Sequence, residues 1–220
     1  MKPLLTTLLL TPSLVLIVSL AGRRWGPAIG GKLAALPLTS GPLVLVTAFS
    51  GNVGVARSMA HGVLAGMPAV VVFCAGYRYV AKRCSWQASL TIAGSATAFV
   101  AALLSLMPPP LWLTAAVICT AATTAMAHPT PLTDGPPATP TWELLLRMAF
   151  ATTLVLALST LSHLADPRLA GVLATFPALM FVLAPMAHRR DGATAAIQMM
   201  HGLIAGLLPT LLFYVVVAAF

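Results

Sequence analysis

Two stretches of this chain are near copies of one another. Met59-Ala60-His61-Gly62-Val63-Leu64-Ala65-Gly66 returns 140 residues later as Met199-Met200-His201-Gly202-Leu203-Ile204-Ala205-Gly206. The same ungapped offset pairs Pro27 with Pro167, Gly31 with Gly171, Leu33 with Leu173, Ala34 with Ala174 and Pro37 with Pro177. Chance does not readily align prolines, glycines and histidines together in a chain rich in Ala and Leu. The chain is therefore read as an internal duplication, and its architecture must accommodate both copies.

The solvent around those copies follows from the charge content. Apolar residues make up 59% of the chain and charged residues 7%, with a mean hydropathy of +0.96; soluble domains carry roughly 25% charged residues. The acids are Asp134, Glu143, Asp166 and Asp191 alone. So few charges cannot cover a water-exposed surface, which makes the lipid bilayer the expected partner. The net charge of +8 is then no nucleic-acid footprint. Its basic residues stand in short clusters between apolar runs, as loops at an anionic membrane face do. Cys74, Cys84 and Cys119 have no metal-ligand spacing and read as packing residues outside any disulfide framework. No metal or cofactor is expected.

Apolar runs of about 20 residues cross a hydrocarbon core of about 30 Å as helices. The spans fall at 4–22, 27–50, 54–79, 86–106, 110–127, 143–163, 167–188 and 194–219. Arg23 and Arg24 end the first, Gly51-Asn52 the second, and Arg78, Lys82 and Arg83 the third. Pro108-Pro109-Pro110 forces a tight connection between the fourth and fifth. The polar stretch after the fifth reads as an extended linker at 128–141, from which Thr141 caps the sixth span with Glu143 in its first turn. Trp25, Trp86, Trp112 and Trp142 lie near span ends, as interface-anchoring indoles do. The whole chain, 1–220, is one membrane domain: repeat A at 3–80, connecting helices at 86–127, the linker, and repeat B at 143–220.

The first span resembles a cleaved signal peptide, with Lys2 ahead of an apolar run. Its Leu14-Val15-Leu16 and Ser19, however, match Leu154-Val155-Leu156 and Ser159 deep inside the chain. It is therefore read as a retained membrane helix. With both termini outside, the cytoplasmic loops hold Arg23, Arg24, Arg78, Lys82, Arg83, Arg189 and Arg190, with Arg147 close by, and the outside keeps Lys2, Arg57 and Arg168. The bias of Lys and Arg favours this orientation. Lys32 lies about a turn inside the second span and can snorkel.

Spans one to three match spans six to eight, so five helices separate the starts of the two copies. An odd number turns the second copy over. The expected fold is all-α and integral to the membrane, with about eight transmembrane helices and two inverted three-helix repeats joined by two extra helices. The charges agree: the Arg23-Arg24 loop is basic where its counterpart, Ala165-Asp166-Pro167-Arg168, is nearly balanced. The uncharged Gly51-Asn52 turn answers to the basic His188-Arg189-Arg190 turn.

The second helix of copy A is interrupted by Pro37, Thr39, Ser40, Gly41 and Pro42, which free backbone groups near mid-membrane. That break can present the Thr39 and Ser40 hydroxyls and a helix end to a ligand. Copy B has Pro177 and Pro185 without Thr-Ser-Gly and reads as a kink. The bland alternative makes both breaks packing kinks healed by neighbouring helices. The third helices carry His61 beside Gly62 and Gly66, and His201 beside Gly202 and Gly206. Small residues four apart let another helix approach closely, the mated third helix among the candidates. Each histidine is expected beside that seam, away from lipid, about 10 Å from the near end of its helix. Arg57 and Gln198 extend the polar stripe one turn earlier. Intramembrane histidines suit a substrate or proton pathway; neutral imidazoles bonding carbonyls across a close helix pair are the competing structural role.

Leu169-Ala170-Gly171-Val172-Leu173-Ala174-Thr175-Phe176-Pro177, then Arg189-Arg190, then Gly202-Leu203-Ile204-Ala205-Gly206-Leu207-Leu208-Pro209 resembles the GlpM-like family of small bacterial inner-membrane proteins. The resemblance covers about half the chain. It implies a fused, inverted pair lacking one terminal helix, located in the bacterial inner membrane, and it implies no activity.

Three functional classes follow. A transporter or exporter of a small solute or lipid-linked intermediate fits the inverted repeats, the broken helix and the paired histidines. A non-transporting accessory, scaffold or regulatory membrane protein fits the same composition, and a homo-oligomer is compatible with either. An enzyme is disfavoured, because the chain holds no His-Glu-x-x-His, no carboxylate pair and no nucleophile–base set.

Overall fold

Between the basic clusters the apolar runs wind into helices, several of which stop at a proline or at a glycine of positive φ. The structure, a computed structural model, describes residues 2–37, 40–127, 141–163 and 175–219. Among them there are eight helices and no strand: α1 Lys2–Trp25, α2 Pro27–Ala35, α3 Ser40–Phe49, α4 Val53–Ala81, α5 Trp86–Leu106, α6 Leu111–Ala127, α7 Thr141–His163 and α8 Ala178–Ala219. The linker at 128–140, and with it Asp134, lies outside the described residues, as do Asp166, Arg168 and Gly171.

Local chemistry explains the breaks. Gly26, at φ 92°, turns the chain between α1 and α2, and Pro27 opens α2 where a missing donor costs nothing. Leu36 is extended ahead of Pro37, so α2 ends at Ala35. The span expected as one interrupted helix over 27–50 is therefore two short helices, about 14 and 15 Å long. Ser85 caps α5 by accepting from the Ala88 amide at 3.4 Å.

In copy B the expected turn at His188–Arg190 is displaced. Those residues stay helical, and the reversal is taken by Gly192 at φ 85°, ψ 172°, which breaks the long α8 in two. Only glycine adopts that conformation without strain, and basic side chains have no reason to leave a helix. Pro185 stays inside the first half of α8, and Pro209 inside the second.

α4, α5 and α8 are long and apolar enough to cross a membrane; α6 is apolar and shorter. An all-helical chain with such helices fits a membrane protein. α5 makes the point best, since most of its apolar surface faces outward, Phe99 and Leu103 included. Water would penalise such a face at roughly 25 cal/mol per Å², and lipid would not. Trp25, Trp112 and Trp142 are exposed at helix ends, while Trp86 is half-buried.

α4 and α8 form the centre, with α2 and α6 packed on α8, α5 on α4, and α1 against both α2 and α7. Phe73 of α4 stacks on Phe181 of α8 with centroids 5.1 Å apart. Phe213, late in α8, lies against Gly41 of α3, where an added Cβ would come within 3.4 Å of its ring. Cys74 is buried in this core as a packing residue, Cys84 is half-buried and Cys119 is exposed on α6, so the packing expectation does not hold for all three; each is a free thiol.

Candidate functional site

Among the described residues, α2 and the second half of α8 make the closest helix contact. A methyl group on Gly202 would fall onto the Ala28 carbonyl, and one on Gly31 onto the Met199 carbonyl. At Gly206 it would come within 2.6 Å of both the Ala35 Cβ and the Lys32 carbonyl oxygen. Backbone therefore meets backbone, which only glycine permits. The seam predicted from Gly202 and Gly206 exists, but its partner is α2 and not the mated third helix. Lys32 contributes its carbonyl to this seam while its side chain is exposed, as snorkelling requires. Gly62 and Gly66 are buried too.

The seam ends at the helix break. Thr210 donates its hydroxyl to the Ala35 carbonyl at 2.7 Å and lies 3.2 Å from the Gly206 carbonyl. Ala35 is the last residue of α2, so its carbonyl has no donor within that helix. A neighbouring helix thus supplies one of the bonds that the break took away. Pro37 itself is half-buried and its carbonyl accepts from the Gly41 amide at 2.9 Å. Thr39 lies outside the described residues; Ser40 and Pro42 occupy the first turn of α3.

The histidines part company. His201 is 7% exposed and Gln198, one turn earlier, is 2% exposed, so copy B carries a buried polar pair inside α8. His61 and Arg57 are both exposed on α4. His61 was expected beside a seam and away from lipid but is exposed, and both pathway candidates on α4 stand on the surface. Pro177 lies just ahead of α8, and Pro185 is buried within it.

A second polar cluster gathers at one end of the bundle. Glu143, in the first turn of α7, accepts from Arg147 at 2.7 Å and from Arg190 of α8 at 3.3 Å. Arg190 also faces Asp191 at 3.6 Å. These four side chains are 9–20% exposed. Arg23, at the end of α1, senses the cluster: burial, then Arg147 and Arg190, lower its guanidinium from the ordinary arginine value, with Glu143 opposing. At the break between the two halves of α8, burial raises the Asp191 carboxyl, against the pull of Arg190 and Arg147. Nearby, the Tyr77 hydroxyl and His188 Nδ1 are 3.2 Å apart, which brings the end of α4 to the same place. Arg23, Arg78, Arg147, Arg189 and Arg190 thus share one end of the molecule. The Glu143–Arg147 pair was legible as an acid four residues before a base; its third member, Arg190, has no sequence signal.

Among the described residues no group of three His, Cys, Asp or Glu side chains could hold a metal ion. Comparison of the chain with known protein families, with characterised proteins and with solved structures finds no match.

Proposed function

We propose that the chain is a multi-pass transporter or exporter of a small solute or lipid-linked intermediate, working between two inverted three-helix repeats, and not an enzyme. One pair of contacts carries the reading. Phe73 stacks on Phe181, and Phe213 lies against Gly41. Under the 140-residue offset, residue 73 is the mate of 213 and residue 41 the mate of 181. Each contact is the other with the copies exchanged, which is what a twofold relation between them produces.

Other features support the same reading. α1 and α7, the first helices of the two copies, pack on one another. A positive-φ glycine, Gly51 or Gly192, separates the second and third helices of each copy. The gathering of arginines at one end supports a cytoplasmic face there, with both chain termini outside. On the GlpM-like resemblance the protein is a fused inverted pair in a bacterial inner membrane. The break at Pro37 beside the α2–α8 seam would then be the hinge or binding element of the pathway, with His201 and Gln198 its buried polar groups.

Reconstitution tests the proposal. Proteoliposomes should pass at least one member of a panel of sugars, amino acids and polyols, or move a fluorescent lipid analogue between leaflets. His201→Ala should slow that flux about tenfold. Normal flux in the His61→Ala/His201→Ala double variant removes both histidines from the mechanism, and no flux across the panel removes the carrier.

A specific observation favours a second reading, that of an accessory or scaffold protein. The α2–α8 seam has no room for a methyl group, and Thr210 already occupies the Ala35 carbonyl. A rigid interior suits a protein that holds a partner in place.

A further inference from the structure

We propose that Glu143 and Arg190 form a one-sided ionic lock that holds the end of the bundle carrying Arg23, Arg147 and Asp191 closed. The inference rests on the inverted-repeat carrier reading and adds a gate to it.

Among the described residues α1 and α7 pack on each other and meet the rest of the molecule chiefly through α2 and α8. Such a pair can rock against the α2–α4–α8 core if what ties it there can let go. The Glu143–Arg190 ion pair is such a tie, because it joins the start of α7 to the break of α8. Arg147 holds the other Glu143 oxygen at 2.7 Å from within α7, so the carboxylate is aimed before Arg190 engages it.

The cross-helix contact is the longer one, 3.3 Å against 2.7 Å, and Arg190 also faces Asp191 at 3.6 Å. A charge-assisted bond at its optimum is about 2.7–2.9 Å long. The lock is therefore strong enough to bias a two-state equilibrium and weak enough to open. Arg190 can fall back on Asp191 when it does, so neither charge is stranded.

Among the described residues the opposite end shows no equivalent. The offset mates of Glu143, Arg147, Arg190 and Asp191 are Pro3, Thr7, Ser50 and Gly51, none of which can form an ion pair. Among the described residues the ion pairs thus gather at one end. Gly192 sits next to Asp191 in a glycine-specific conformation, so the lock bears on the one non-helical residue of α8, where bending costs least.

Thiol labelling tests the lock without needing a solute. In a Cys84→Ser/Cys119→Ser background, Ala187→Cys places a reporter at a buried position shortly before Arg190, and native Cys74, fully buried, reports on the integrity of the fold. A membrane-impermeant maleimide is applied to right-side-out and inside-out vesicles. Glu143→Gln and Arg190→Gln should each speed labelling of Ala187→Cys about fivefold, from one side only. The double variant should be no faster than either single one, as expected for partners in one pair. Cys74 should stay unreactive throughout. Unchanged labelling at Ala187→Cys overturns the lock. Labelling of Cys74 as well overturns it in favour of a clamp that the fold requires. Faster labelling in a protein with no flux keeps the lock and removes the carrier, whereas flux without faster labelling does the reverse.

Discussion

The third helices of the two copies share Met, His, Gly, Ala and Gly at equivalent positions, yet their surroundings differ. On α8, Gln198 and His201 are buried, Gly202 and Gly206 receive α2 at backbone contact, and Thr210 satisfies the carbonyl that ends α2. On α4 the counterparts of Gln198 and His201 are Ser58 and His61, both exposed, and the mate of Thr210 is Val70. The letters repeat, but tertiary contact gives them different surroundings. A repeated histidine is thus weak evidence for a repeated role, because a side chain's chemistry is set by what covers it.

Substitutions on the two helices test this contrast. The largest effect should come from Gly202→Val, which drives a branched side chain into the Ala28 carbonyl. We expect a loss of about 3 kcal/mol or more, read as a fall in the thermal midpoint of the detergent-solubilised protein. An unshifted midpoint would mean that α2 does not seat on α8 as closely as described.

Next, His201→Ala should cost about 1–3 kcal/mol, through a cavity and a lost polar contact at a buried site. His61→Ala, on the exposed face, should stay within about 0.5 kcal/mol. Equal losses in the same melting experiment would erase the asymmetry between the copies.

Thr210→Val tests the healed break alone. It keeps the shape and deletes the hydroxyl that reaches the Ala35 carbonyl, at an expected cost of about 0.6–1 kcal/mol, since interhelical bonds in membranes are modest. Faster amide hydrogen exchange in the last turn of α2 should accompany it, and unaltered exchange there would contradict the bond. At the charged end, Tyr77→Phe should cost about 0.5–1 kcal/mol by losing the hydroxyl that meets His188, measured by the same melting experiment. A larger cost would assign that pair a part in holding the charged end together.

Most helices were legible in the sequence because their boundaries are set locally. Pro37, Gly51 and the Pro108-Pro109-Pro110 run end helices by removing donors or reversing the chain, whatever surrounds them. The break in copy B was misplaced by a few residues because His188-Arg189-Arg190 looks like a turn by charge, while Gly192 makes one by backbone conformation. The seam glycines were also readable from their spacing, but not their partner, because small residues four apart prepare a surface for any helix. The histidines were singled out by residue type alone, which says nothing of what packs over a side chain; only His201 is enclosed.

The amino-acid order alone settles the apolar class of this chain and most of its helix ends, since hydropathy and proline act over a few residues. Tertiary structure alone decided that α2 would cover the second half of α8, that His201 would be buried while His61 stays exposed, and that Arg190 would reach Glu143 across 47 positions of chain. Burial and ion pairing depend on the approach of distant helices, and no local pattern encodes which helix arrives.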